Sequence, residues 1–357
     1  MPSVQTLKFL PQHNGNWYTA FRLIPAWLKD DKDPEEYNRP WMIFIVDLDT
    51  GAIINLTLMK EKPAANQAYD FLTQSMVTPA RNSITSQRPR VIYFEDESLA
   101  VEMESRLSEL KIKTIYDPQE KATDEIVENL LPFVLQGQIP LPGLLNQHGV
   151  KLDLVSSVFK NATKLWEVKP WDILNNEDIL GVWVGEQNKP YYVSLMGSGG
   201  MEFGFAVFKS QNELEQFFVE LATKITKIPT KGRHVFLYNP PPMISFDDMD
   251  LVDEHHLSIP SIKHFPTPLL FKPDDIYRPS ATMLRWYEAF LLVLPDLIND
   301  LQPDLAPLEK QYVVNTVKGE TTVKVKYPAF SKKKINLWKN DGALKMMAEM
   351  IRKASES

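Results

Sequence analysis

The chain has 357 residues, 44% of them hydrophobic and 24% charged, which supplies enough apolar surface for two folded domains of ordinary size. It has no cysteine, which excludes disulfides, thiolate metal centres and cysteine nucleophiles and fits a cytoplasmic setting. Its net charge of -7 is unevenly spread: residues 306–357 hold 11 basic and 5 acidic side chains, whereas the first 305 residues hold 28 and 41, so nucleic-acid contact is expected only through the basic tail.

The first sixteen residues lack the basic start and apolar core of a secretory signal. The longest apolar run, Ala289 to Leu294, is far short of the roughly 18 residues a membrane span needs, so a soluble protein with no membrane partner is expected. Three strands come first, Trp17 to Ile24, Trp41 to Leu48 and Ala52 to Met59, each rich in β-branched and aromatic residues. Asp49-Thr50-Gly51 joins the last two as a hairpin turn. Pro63 opens a helix through Met76, because proline is tolerated where the first helical N–H needs no partner. Strand Arg90–Phe94, helix Ser98–Leu110, strand Ile112–Tyr116 and helix Thr123–Gln136 complete an order βββαβαβα.

A second block follows the same plan. Trp166 stands 149 residues after Trp17, Pro190-Tyr191 stands 150 after Pro40-Trp41, and Gly200 stands 149 after Gly51. Strands YYVSLM and FGFAVF, a helix opened by the capping box Ser210 to Glu213, strand His234–Tyr238, a last strand within Leu257–His264 and a helix from Ala281-Thr282 make up the proposed copy. The predicted layout is therefore an α/β protein with a mixed sheet: a first module over residues 1–145, a probable duplicate over 146–305, and a basic hairpin-and-helix appendage over 306–357.

The centre of YYVSLMGSGGMEFGFAVF, Gly197 to Gly200, invites comparison with a phosphate loop. Such a loop passes from a strand into a helix and is followed by Gly-Lys-Ser/Thr, whereas this one runs from strand to strand, so it reads as a tight hairpin and no cofactor is expected.

The order βββαβαβα resembles that of ribonuclease-H-like folds, which include integrase and transposase cores. More broadly, residues 15–300 are similar to uncharacterised bacterial proteins carrying a domain of unknown function, through PWMIFIVDLDTG, RPRVIYFED and YYVSLMGSGGMEFGFAVF. The first resemblance implies a metal-dependent nuclease with one acid on the first strand, one at the end of the fourth and one on a later helix. Asp47, Glu95, Asp96 and Glu128 (or Glu125) are the candidates, but WYTAFRLI carries no acid, Asp47 falls on the second strand, and the second block ends its fourth strand in Asn239-Pro240-Pro241-Pro242. The blander role of Glu95 to Glu97 is to cap the helix that starts near Ser98.

The run Asp247 to His256 offers Asp250, Asp253, His255 and His256 as metal ligands, yet lacks the spacing of a calcium loop or a zinc-protease helix, and a solvated acidic loop is the simpler expectation. Lys332, Lys333, Lys334 and Trp338 in the tail are candidates for partner or nucleic-acid contact. Trp17, Trp27, Trp41, Trp166, Trp171 and Trp183 suit a seam or a ligand groove. The leading expectation is a non-enzymatic module binding a protein or other macromolecule, with a nuclease and a small-ligand sensor as alternatives.

Overall fold

The computed structural model describes residues 2–29, 33, 36–80, 85–118, 121–135, 140–223, 232–272, 275–301 and 305–330. The chain divides into two compact units, 1–140 and 141–357. The expected tail helix, with Lys332, Lys333, Lys334 and Trp338, lies outside the described residues.

In the first unit, α1 (Val4–Phe9) leads into β1 (Asn16–Leu23). A short ribbon of β2 (Leu28–Lys29) and β3 (Tyr37–Asn38) follows, and then β4 (Trp41–Asp47), β5 (Ile53–Met59) and α2 (Ala65–Val77). The unit closes with β6 (Val91–Phe94), α3 (Glu97–Ser108), β7 (Lys113–Tyr116) and α4 (Lys121–Leu135). The sheet runs β5-β4-β1-β6-β7, antiparallel from β5 to β1 and parallel from β1 to β7. The ribbon and α1 are the elements here that periodicity did not anticipate.

Strand β4 explains the layering. Its MIFIV run is buried on both sides, as a central strand covered by helices requires. Ile43 and Ile45 join Trp17, Ile92 and Phe94 beneath α2 and α3, through Leu72, Met76, Met103 and Leu107. Met42, Phe44 and Val46 join Tyr18 and Ala20 on the opposite face, against Val127, Leu131 and Leu135 of α4. Successive strand residues thus address different helices.

The second unit opens with α5 (Leu152–Val168), a helix missing from the sequence reading. An antiparallel series follows: β8 (Ile179–Val184), β9 (Tyr191–Met196), β10 (Gly204–Phe208), α6 (Gln211–Thr223), β11 (Arg233–Asn239), α7 (Phe246–His255), β12 (Phe265–Phe271) and β13 (Ile276–Tyr277). It ends with α8 (Ala281–Leu301), β14 (Leu308–Thr316) and β15 (Gly319–Tyr327). Among the described residues the sheet holds eight strands in the order β13-β12-β11-β10-β9-β8-β15-β14.

This pairing corrects the expected second βββαβαβα module. In the first unit α2 carries the chain along the sheet, so that β6 starts beside Asn16 and runs parallel to β1. In the second unit the chain leaves β10, forms α6 and returns to the same end of the sheet, placing His234 opposite Val207, and β11 is antiparallel to β10. The edge of β8 that would receive a parallel neighbour is taken by β15, with Val323 opposite Val184. Trp166, matched to Trp17 by spacing, sits on α5 and not on a strand. The last strand is Phe265–Phe271; the 257–264 stretch ends in a 3-10 turn, Ile262–His264. The acidic run is no loop but most of α7, capped by Ser245.

Helix α8 is apolar over most of its circumference because it is enclosed: Tyr287 and Phe290 meet Phe205 on the sheet, while α5 packs alongside. The other face of the sheet, with Ala206, Phe208, Val235 and Leu269, receives Leu214 and Phe217 of α6. Gly197 (φ 132°) and Gly200 (φ 74°) shape the β9–β10 turn, closed by a 2.9 Å bond from the Gly200 N–H to the Gly197 carbonyl. No helix among the described residues is long and apolar enough to cross a membrane.

Candidate functional site

Of the nuclease candidates of the first unit, Glu95 and Asp96 lie where β6 ends beside the middle of β1. Thr19 lies opposite Phe94, so Glu95 and Asp96 emerge next to Ala20 and Phe21. A cavity of about 210 Å³ opens there, lined by Thr19, Phe21, Trp41, Lys62, Asp96 and Leu99 among others.

Strand alternation separates the two acids. Glu95 pairs with Arg22 of β1, whose other guanidinium nitrogen reaches Asp124 of α4 at 3.1 Å. Burial works against the charge of Arg22, but its bonds to Glu95 and Asp124 more than offset this and raise its pKa. Asp96 caps α3, accepting the Leu99 N–H at 3.1 Å, and also meets the Lys62 ammonium at 2.8 Å. The Lys62 bond first, and the Leu99 N–H second, hold the Asp96 carboxyl below its usual pKa. The capping role expected for this acidic stretch is filled by Asp96.

Asp47 lies elsewhere. It pairs across from Trp17, three residues along β1 from the level of Glu95 and two strands away. That places it roughly 10 Å along and roughly 10 Å across the sheet, too far for a shared metal. Its Oδ1 accepts the Asp49 and Thr50 N–H groups at 3.0 and 2.9 Å and the Thr50 hydroxyl at 3.0 Å, which builds the β4–β5 turn. Glu125 and Glu128 are exposed on α4, while Asp124 takes the bond to Arg22. Among the described residues no group of three or more His, Asp or Glu is placed to hold a metal ion.

On β1 the polar residue lining this cavity is Thr19, buried with its hydroxyl unpartnered. Arg22 and Lys62 are the residues that sequence reasoning passed over. The available signal was the single cation on β1, next to an acid-rich strand end.

In the second unit, Asp250, Asp253, His255 and His256 are spread along α7 and its cap; His256 is in the left-handed conformation, and His255 faces Glu254 at 3.9 Å. The structural acids are two that the metal reading ignored. Asp247 accepts the Gly143 N–H at 3.0 Å and the Asn146 amide at 2.8 Å. Asp248 accepts the Leu144 N–H at 2.7 Å and forms a fully buried ion pair with Arg278. Trp166 and Trp171 cluster with Phe203 and Tyr238, and His264 stacks on Trp166 at 4.0 Å. Trp17 instead belongs to the core beneath α2 and α3 of the first unit.

A mixed α/β chain with two units, each with its own sheet, is the class these observations define. Residues 3–131 match the family model described as Domain of unknown function (DUF6930), and residues 156–265 match a different one, Domain of unknown function (DUF7309). The first match falls within the first unit and the second within the second. No curated protein matches the chain.

Proposed function

We propose that the chain is a non-enzymatic binding protein, and that its first unit is a ribonuclease-H-like scaffold whose acid site is held closed by internal cations. The sheet order β5-β4-β1-β6-β7, with only its second strand antiparallel to β1 among β1, β4, β6 and β7, supports the scaffold reading. The observation that carries the non-enzymatic reading is the ion pairing: Arg22 occupies Glu95 and Lys62 occupies Asp96, while β1 offers Thr19 where a bridging carboxylate is needed. A metal would have to displace two paired cations and would still lack one ligand. The matched Pro40-Trp41 and Pro190-Tyr191 strand starts, and the Gly51 and Gly200 turns, support a common plan for the two opening meanders, after which the units diverge. The cysteine-free composition supports a cytoplasmic setting.

The test is cleavage. Full-length protein is incubated with single-stranded DNA, duplex DNA and an RNA–DNA hybrid in magnesium or manganese, beside the E95Q and D96N variants. The expected result is no cleavage above background by any of the three proteins. Metal-dependent cleavage that E95Q or D96N abolishes overturns the reading. The partner is a protein or another macromolecule, with nucleic acid reached through the basic tail. Retention of a DNA duplex at low salt, lost on deletion from Ser331, is the outcome expected for tail contact, and unchanged retention refutes it.

A further inference from the structure

A cavity in the second unit lies at one end of its antiparallel sheet and is not used by the reading above. Its volume is about 400 Å³, within the range of small-molecule sites. The β8–β9 turn, the end of β10, the first turns of α8 and the β14–β15 turn form its walls.

Three cations line it from three separate elements: Lys209 after β10, Arg285 on α8 and Lys318 in the β14–β15 turn. Glu320 is the only acidic residue in the lining. Among the described residues none of Lys209, Arg285 and Lys318 is in an ion pair, whereas Lys62, Lys310 and Lys324 each meet a carboxylate. Arg285 makes only a 3.4 Å bond to the Gly149 carbonyl. Three cations beside a single lining carboxylate leave an excess of positive charge that an entering anion offsets.

The site is also held in shape. Glu288, fully buried on α8, accepts the Val317 N–H at 2.9 Å and the Ser157 hydroxyl at 2.6 Å, which pins the turn carrying Lys318 against α8. Gln187 lends its carbonyl to the Val184 N–H at 2.9 Å and the Trp286 indole at 3.2 Å, leaving its amide N–H groups for a ligand. Tyr191 and Trp286, 5.4 Å apart, add an aromatic wall. The start of α8 lies in the same wall, adding the positive end of a 21-residue helix.

From this combination we propose that the second unit binds a small phosphate ester, its phosphate held by Lys209, Arg285 and Lys318 and its organic part against Tyr191 and Trp286. Phosphate matches the site because its negative oxygens can engage an arginine fork and two ammonium groups together.

The test uses the full chain and three probes, adenosine monophosphate, unphosphorylated adenosine and inorganic phosphate, with binding read by isothermal titration and by quenching of tryptophan fluorescence. The expected order is the monophosphate tightest, inorganic phosphate weaker and adenosine weakest. The exposed change Lys318→Gln, which leaves the fold intact, and separately Arg285→Gln, should each weaken the monophosphate about tenfold, or about 1.4 kcal/mol. Tyr191→Ala should weaken the monophosphate more than inorganic phosphate. No binding of either phosphate-bearing probe up to about 10 mM, at which a useful site would be half filled, overturns the proposal. Adenosine binding as tightly as its monophosphate, or affinity unchanged in K318Q and R285Q, overturns it equally. Far-ultraviolet circular dichroism of each variant separates a lost site from a lost fold.

Discussion

Replacing Asp248 with asparagine removes one charge and almost no volume. Asp248 and Arg278 have side chains 1% and 0% exposed, so the guanidinium left behind loses its ion-pair partner and keeps only the field of Asp247. Asparagine can still accept the Leu144 N–H that Asp248 now accepts at 2.7 Å, and Arg278 keeps its 3.0 Å bond to the Pro268 carbonyl, so the change isolates the charge. Breaking a buried ion pair from one side costs about 3–5 kcal/mol. With a urea m-value near 3 kcal/mol/M, this moves the midpoint of the second unit down by more than about 1 M. Hydrogen exchange measured by mass spectrometry on the 246–255 and 278–284 peptides assigns the loss to the second unit without requiring the two units to unfold together. The double variant D248N/R278M removes both charges and should recover most of the loss. A D248N cost under about 1 kcal/mol, or a double variant no more stable than D248N, would refute the claim that the pair is coupled and dry.

Gly197→Ala should cost about 2–3 kcal/mol, because φ is 132° and a Cβ would stand 2.8 Å from Trp171 and Phe203; near-ultraviolet circular dichroism of the aromatic cluster reads the disturbance, and an unchanged spectrum and midpoint would show that the turn relaxes. Asp96→Asn should cost about 0.5–1 kcal/mol at neutral pH, because asparagine can still cap α3 but loses the charge that faces Lys62 and the helix N-terminus. Since the folded pKa of Asp96 is depressed, its contribution is present above the unfolded value of about 3.9 and lost as pH falls through the lower folded value, so the gap between wild type and D96N should close in acid urea titrations. Burial, with help from the Lys209 charge, pulls the His234 pKa down to about 4. The unfolded chain therefore binds the extra proton between its own pKa near 6.5 and about 4, and stability should fall with falling pH across that window by at most about 1.4 kcal/mol per unit; a His234 proton resonance titrating near 6.5 in the folded protein would contradict this.

Much of the first unit was legible because its signals are local. The strand starts at Trp17 and Trp41, the helix after Pro63 and the turn at Gly51 each follow from residues within a few positions, and so do the capping role of the Glu95–Glu97 stretch and the turn-building role of Asp47. The closing of the acid site was not legible, because Arg22 and Lys62 reach Glu95 and Asp96 from 73 and 34 residues away. In the second unit α7 was misread because its acids suggested solvent, whereas Asp248 is turned inward against Arg278.

By composition and periodicity alone, the chain determined its α/β class, the three-strand opening of the first unit and the hairpin nature of Gly197 to Gly200. Only the tertiary structure decided which strand lies beside which. The same succession of strand and helix makes a parallel neighbour of β1 in one unit and an antiparallel neighbour of β10 in the other, because the path after the first helix and the occupant of the free edge differ. Pairing also decides the sites: cations distant in sequence meet acids in the first unit and line one cavity in the second, and sequence spacing carries no record of either arrangement.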